Sequence, residues 1–451
     1  MKIQAIQPKI TTSFIAKKDN DTNTVKIEDK RELFMQSLNA MANVNKISFS
    51  GKKEEFELGL SHEELKKRTS KDCLSVKKML DVEAPEYTQL ALGDKEALKH
   101  LVKAAKYLEK ANLKQDHPQN LEFREFLVKK AKSGNKDAQM TLKLFDAQKG
   151  MLAVDTEANK FSLKKGEVET LGKGFYPLDM TPSELHDTLI GMMNKGKKEQ
   201  VKEILNQRSI IKRDGEELKA VDYTEEYREE FQAAAKELEK AAEVSTNEDF
   251  NEYLRLQARA LKENDPMLDA YADKKWATLQ DTPLEFTITR ENYEDELTGT
   301  VVENEELMGL LKDANITPTG KDMLGIRVGI VNKEGTKKLL EIKQYLPLLA
   351  QNMPFADQYE QNISANSDDV KQTMVDVDLV TVSGDVGAFR GGITLAENLP
   401  NDDKLSLTID GGRRNVYHRQ IRKISDFETL QKKLDAVLAP ELHKNYSDEA
   451  D

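Results

Sequence analysis

The stretch Gly384 to Asp403, GDVGAFRGGITLAENLPNDD, decides how the chain is read. Its glycines Gly384, Gly387, Gly391 and Gly392 invite a phosphate loop, yet no Lys-Ser or Lys-Thr pair follows them and the flanks have strand character rather than opening a helix. A flexible cleft loop is the simpler account. Beyond it, Asn398 and Asn401 flank Leu399-Pro400. An asparagine side chain offers a donor and an acceptor, so two of them on a proline-stiffened extended segment can pair with a peptide backbone much as an added strand would. The competing reading is an asparagine-proline turn between a strand ending near Glu397 and one starting at Leu405. These residues alone leave both readings open.

Working outward, short apolar alternation marks strands at Leu284 to Arg290, Gly325 to Val331, Val375 to Ser383, Gly392 to Glu397 and Leu405 to Ile409, interrupted by a helix from about Thr336 to Ala350. A last helix is predicted from Ser425, with Glu428 in capping position and Leu430, Leu434 and Val437 as its stripe. Upstream the pattern is helical. Ser61 and Glu64 have capping-box spacing, and Leu98, Leu101, Val102, Ala105 and Leu108 share one face of a helix over Glu96 to Leu113. Gly134 and Gly150 punctuate the next two helices, Thr181-Pro182-Ser183-Glu184 opens another, and three more start at Thr224, Thr246 and Asp265. Helices first and mixed strands later predict an α+β fold, predominantly helical, rather than a doubly wound sheet. The expected organisation is a flexible polar leader over 1–55, a mainly helical region over 56–280 and a mixed α/β region over 281–451.

Composition narrows the function classes. A net charge of -12 disfavours a general nucleic-acid binder, whose surface would have to attract phosphates. No window approaches the roughly 18 apolar residues of a membrane span, so no membrane partner is expected. Cys73 is the single cysteine and points to a reducing compartment, the cytoplasm. The six histidines are His62, His100, His117, His186, His418 and His443, and no two lie one helical turn apart. His62-Glu63 is not half of a zinc pair, because Lys66 stands where H-E-x-x-H needs its second histidine. Cys73 has no neighbouring histidine, and no G-x-S-x-G elbow occurs.

Beyond GDVGAFRGGITLAENLPNDD, four further blocks run in a consistent order: GFYPLDMTPSEL (174–185), IKRDGEELKAVDYTEEYREE (211–230), EDFNEYLRLQARAL (248–261) and PLEFTITRENYEDELTG (283–299). Together they resemble the bacterial and plant-type branch of the dipeptidyl peptidase III family of zinc metallopeptidases, over most of the chain from about Pro85. The resemblance implies the N-terminal and central portion of a two-lobed fold, with a short-stranded mixed sheet or partial barrel, and an enzyme that releases dipeptides from peptide N-termini. It implies that Asn398 and Asn401 hold the main chain of a short peptide and that Glu291 and Tyr293, in the ENYED block, stand beside the cleft. Tyr293 can hydrogen-bond a developing oxyanion, or it can simply pack its ring at a strand end; both readings stand. Phe286 occupies the position where the animal branch carries a catalytic tyrosine, a departure that counts against the oxyanion role.

Zinc is the family's cofactor. The family's zinc helix follows ENLPND by a few tens of residues, whereas 48 residues follow Asp403 here without an H-E motif. The expectation is therefore a chain cut short of the metal, binding no zinc and inactive alone. Its partner would be a separately encoded zinc-bearing C-terminal portion; the alternative is a non-catalytic peptide-binding or vestigial protein with the same cleft wall.

Overall fold

The computed structural model describes residues 56–70, 73, 83, 85–155, 159–263, 265–292, 294–343, 345, 374–384, 396–399 and 414–419. The expected leader over 1–55, the strand over 405–409 and the helix from Ser425 lie outside these residues. From Phe56 onward the chain forms one compact unit. Its helices begin where the caps foretold. At α1 (His62–Arg68) the Ser61 hydroxyl accepts from the Glu64 amide at 3.3 Å while the Ser61 amide donates to the Glu64 carboxylate at 3.0 Å, a reciprocal capping box.

After the short α2 (Pro85–Thr88) comes the 25-residue α3 (Leu92–Asp116), longer at both ends than its apolar stripe. Leu98, Leu101, Ala105 and Leu108 are buried as the spacing predicted, while Val102 is only half-buried. Then follow α4 (Asn120–Lys132), α5 (Lys136–Gln148) and the small antiparallel hairpin of β1 (Leu152–Val154) and β2 (Lys160–Ser162). Gly134 takes a positive φ of 88° after α4, but after α5 it is Lys149, not Gly150, that turns left-handed at φ 58°.

A 3-10 turn (Lys173–Phe175) leads to α6 (Pro182–Asn194) and α7 (Lys198–Ile204). Thr181 caps α6 through the Glu184 amide at 3.2 Å, with Pro182 in the first turn, where an amide hydrogen would have no partner. The hairpin of β3 (Ser209–Asp214) and β4 (Glu217–Asp222) was not foreseen. Its signal is Asp214-Gly215, where β3 ends and the two-residue loop Gly215-Glu216 begins with Gly215 at φ 65°, a signal that charges at Lys212, Arg213, Glu216 and Lys219 obscured. The helix expected from Thr224 instead starts one residue earlier. Asp222 caps α8 (Tyr223–Glu226) by accepting from the Thr224 amide at 2.7 Å, and α9 (Arg228–Val244), α10 (Glu248–Glu263) and α11 (Pro266–Ala277) follow, Asp265 capping the last.

The remaining elements are β5 (Leu284–Glu291), α12 (Glu296–Gly299), a 3-10 turn (Thr300–Glu303), α13 (Glu305–Asp313), β6 (Met323–Asn332), α14 (Lys333–Lys343), β7 (Met374–Ser383), β8 (Ala396–Leu399) and β9 (Arg414–Arg419). The strands form one mixed sheet in the order β5-β6-β7-β9-β8, antiparallel except for β7 against β9. Among the described residues its ladder is not closed; α11 lies against β8 at one edge and bonds β5 at the other, where Trp276 donates to Glu285 at 2.5 Å. β5 and β6 are buried along nearly their whole length, since a sheet covered on both faces cannot show the buried-exposed alternation of a half-solvated one.

Two apolar clusters result. The larger joins α3, α6, α9 and α10 to the even-numbered side chains of β5 and β6, with Phe286 and Ile326 fully buried. The smaller gathers Leu65, Phe123, Leu127, Phe145 and Leu163 under α1, α4, α5 and the first hairpin. Between them, Gly174 presses on the end of α3: a Cβ there would lie 2.1 Å from the Lys114 carbonyl oxygen and 2.8 Å from that of Gln115. Backbone atoms cannot rotate away. Gly174→Ala is expected to destabilise the protein by about 1–3 kcal/mol, seen as a lower urea midpoint at unchanged slope; a midpoint equal to that of the parent protein would show that this contact yields.

Candidate functional site

One end of the sheet is held with unusual care. Here β5 finishes at Glu291, β6 begins at Met323 directly opposite it, and β7 ends at Ser383 before Gly384. The last turns of α3 grip this end: Asn112 donates to the Leu324 carbonyl at 2.8 Å, and Gln115 donates to the Asp322 carbonyl at 3.1 Å while accepting from the Leu324 amide at 2.9 Å. Gly384, at φ 67°, passes so close that a Cβ would meet the Leu324 carbonyl oxygen at 2.3 Å. The loop singled out by sequence therefore leaves the sheet from a position only glycine can occupy.

The ENYED segment turns away from the same end. Asp295 accepts from the Thr298 amide at 3.0 Å and hydroxyl at 2.5 Å, capping α12, and from the Lys321 amide at 2.9 Å. Tyr176 reaches the Thr298 hydroxyl at 2.7 Å. Burial raises the Asp295 carboxyl above its ordinary range, although Thr298 and Lys321 pull the other way. Lys321 is fully buried, and burial pushes its ammonium down to about 7. A lysine tuned to neutrality is the pattern of a catalytic amine, but its hydrogen bonds tell otherwise. Nζ donates to the carbonyls of Ile204 and Asn206, both at 2.6 Å, and to the Ser209 hydroxyl at 2.9 Å. It ties the α7–β3 connection to the strand end.

Beneath lies a buried chain of alternating charge. Arg208 bridges Asp269 and, at 3.0 Å, Asp322, and Arg290 reaches Asp269 at 2.6 Å. Burial raises the Asp322 carboxyl, and Arg208 partly offsets it. Four segments remote in sequence supply these groups, which no spacing motif could have announced.

Glu291 is only 8% exposed and stands at the strand end. Asn398 lies on β8, opposite Asn415, whose other neighbour is Met374 at the start of β7. Glu291 and Asn398 thus occupy the two outermost strands, at opposite ends of β7's register, and the ladder does not make them neighbours. Tyr293 and Asn401 lie outside the described residues. Phe286 packs in the core, its carbonyl accepting from the Tyr253 hydroxyl at 2.8 Å, so it is part of the sheet's support.

The described histidines sit apart, and His418, on β9, lies opposite Val377 in the ladder. His62 meets Asp137 at 2.6 Å, His100 meets Glu237 at 2.6 Å, His117 stands 3.2 Å from Glu167, and His186 bonds Thr300 at 3.0 Å. Burial lowers the His117 pKa, with Glu167 opposing. Among the described residues no three His, Cys, Asp or Glu side chains converge in a set that would hold a metal. A pocket of about 220 Å³ on the first hairpin, lined by Leu152, Phe161, Val168 and their neighbours, borders none of the candidate residues. Among the described residues no helix is long and apolar enough to cross a membrane.

Comparison with known proteins places this architecture. No family model matches the chain. It is similar to the solved structure of dipeptidyl peptidase III from Caldithrix abyssi, with a TM-score of 0.60 and 26% identity over 79% of this chain and 61% of that one. It is also similar to dipeptidyl-peptidase III from Corallococcus sp. strain EGB, with a TM-score of 0.58 and 20% identity over 85% of this chain and 62% of that one. Among curated proteins, Nudix hydrolase 3 of Arabidopsis thaliana is 25% identical over 424 residues, covering 82% of this chain and 50% of the relative. The chain spans about half the length of that curated protein and about three-fifths of the two solved structures. Its fold is dipeptidyl peptidase III-like, a helical α+β scaffold of the kind peptidases use.

Proposed function

We propose that this chain binds short peptides and forms the substrate-holding part of a dipeptidyl peptidase III-type hydrolase. The observation that carries the reading is the likeness in fold and sequence to the Caldithrix abyssi enzyme, at 26% identity. In this reading residues 281–451 carry the peptide contacts and 56–280 their helical support. Glu291 receives the peptide's terminal ammonium, and Asn398 and Asn401 pair with its main chain. β8 is one of the two edge strands among the described residues, the position at which an extended peptide adds to a sheet. Tyr293, next but one to Glu291, is the candidate for the scissile carbonyl. The lone cysteine supports a reducing, cytoplasmic setting.

Hydrolysis needs an activated water, which zinc supplies in the enzymes this chain resembles. No two histidines of the 451 residues stand a helical turn apart, which favours a division of labour: a zinc-bearing portion supplied from outside these residues, which alone are inactive. The second reading, a purely peptide-binding protein, rests on the same scattered histidines. The Nudix name belongs to a relative of which this chain matches half, so it does not carry a reading here.

Calorimetry with a tetrapeptide bearing a free N-terminus, and with its N-acetylated form, tests the proposal. Pairing a buried carboxylate with an ammonium contributes about 1.5–3 kcal/mol, so acetylation and Glu291→Gln should each weaken binding by roughly 10- to 150-fold. Together they should cost no more than either alone. Equal affinity for both peptides would remove Glu291 from the site, and chelator-sensitive release of dipeptides by the chain alone would overturn its inactivity.

A further inference from the structure

Lys173 sits in a backbone conformation that its side chain must justify. Its φ is 43°, in the left-handed region that favours glycine, and it lies between Gly172 and Gly174. A third glycine would relax the strain. Yet the lysine is there, its side chain 5% exposed and ringed by carboxylates: Glu294 in direct contact, Glu169 at 3.3 Å and Asp116 at 3.8 Å. These come from three places, namely the ENYED segment, the stretch after the first hairpin, and the last residue of α3. Lys160, at 2.5 Å, shares Glu169, so Glu294 takes the largest part of the Lys173 ammonium.

We infer that Lys173 is a positioning residue, its ammonium fixing Glu294 and thereby setting the direction in which the Glu291–Asp295 segment leaves β5. The purpose assigned to it rests on the peptide-binding reading above. Both ends of the segment are otherwise secured, Glu291 by pairing with Met323 and Asp295 by Thr298 and Lys321. Between them, the Glu294–Lys173 pair is the side-chain tie that reaches across to the neighbouring loop, while the Leu297 amide binds the Leu171 carbonyl at 3.1 Å just beyond. A segment held between its ends as well as at them keeps the Glu291 carboxylate in one arrangement, which spares a ligand the entropy of ordering it.

Amide hydrogen exchange of the full chain tests this without any peptide. Lys173→Gln should raise exchange across residues 290–296 at least ten-fold while β6 and α3 keep their protection, and Lys173→Arg should restore most of the loss. Lys173→Gly strands the same carboxylates but relieves the backbone, so it should melt no lower than Lys173→Gln and still show the faster exchange, which separates the side chain's task from the fit of the loop. Unchanged exchange in Lys173→Gln or Lys173→Gly overturns the inference. Where the parent protein binds the free-amine tetrapeptide, Lys173→Gln and Glu294→Gln should each weaken it about ten-fold and the double variant no further; additive losses overturn it. Failure of the parent protein to bind that peptide refutes the peptide reading alone, and the exchange experiment still decides whether Lys173 sets the segment.

Discussion

Arg208→Met is expected to lower the unfolding free energy by about 3–5 kcal/mol, the usual consequence of deleting one partner from a buried ion pair. Arg208 is 5% exposed and spans Asp269 and Asp322, both nearly inaccessible to water. Methionine fills much of the space but leaves Asp322 facing a thioether. Asp269 keeps Arg290, so the damage concentrates on Asp322. The double variant Arg208→Met with Asp322→Asn should therefore recover part of the loss, because the stranded charge is gone even though the pair is not restored. Urea unfolding measures both. A single variant within about 1 kcal/mol of the parent protein, inside the range typical of exposed ion pairs, would mean that water reaches this network.

Lys321→Met is expected to do comparable damage and to change how stability depends on pH. Three acceptors, at Ile204, Asn206 and Ser209, lose their donor in a fully buried place. Each unsatisfied group costs about 1–3 kcal/mol, offset in part by no longer burying a charge. The sign of the pH effect follows from the lowered pKa. Folded Lys321 titrates at about 7, whereas the unfolded side chain titrates near the ordinary lysine value of 10.5. Between those values the unfolded chain binds the extra proton, so this group makes the protein more stable as pH rises from 7 toward 10.5 and contributes no slope below the folded value. The stability difference between the parent protein and Lys321→Met should grow by up to about 1.4 kcal/mol per pH unit in that window. Parallel stability curves from pH 7 to 10 would show that Lys321 keeps its proton throughout.

Much of the scaffold was legible because it rests on local chemistry. Ser61, Thr181 and Asp265 announce their helices through side chains that accept from amides two or three residues on, and β5, β6 and β7 were found to within two residues from their apolar runs. What escaped was non-local or disguised. The β3–β4 hairpin wears charges on its exposed face, β9 has only Val416 and Tyr417 as apolar residues, and the helix expected from Thr224 takes its cap from Asp222. Of the candidate site, the ENYED segment and the glycine exit at Gly384 were visible as motifs. Their supports were not: Lys173, Lys321 and Arg208 acquire meaning only when α3, β3, α11 and β6 meet, since nothing in the residues beside a lysine tells whether it will be solvated or enclosed.

The grip of α3 on the start of β6 has a kinetic consequence. One helix packs along α9 on one side and hydrogen-bonds the sheet through Asn112 and Gln115 on the other, so the helical and stranded parts cannot swing against each other there without breaking three buried hydrogen bonds. On the peptide-binding reading, a ligand that docks against this strand end meets backbone already in its final place, and its association rate should rise in proportion to concentration, at roughly 10⁵–10⁷ M⁻¹s⁻¹, without the plateau that a slow rearrangement there would impose.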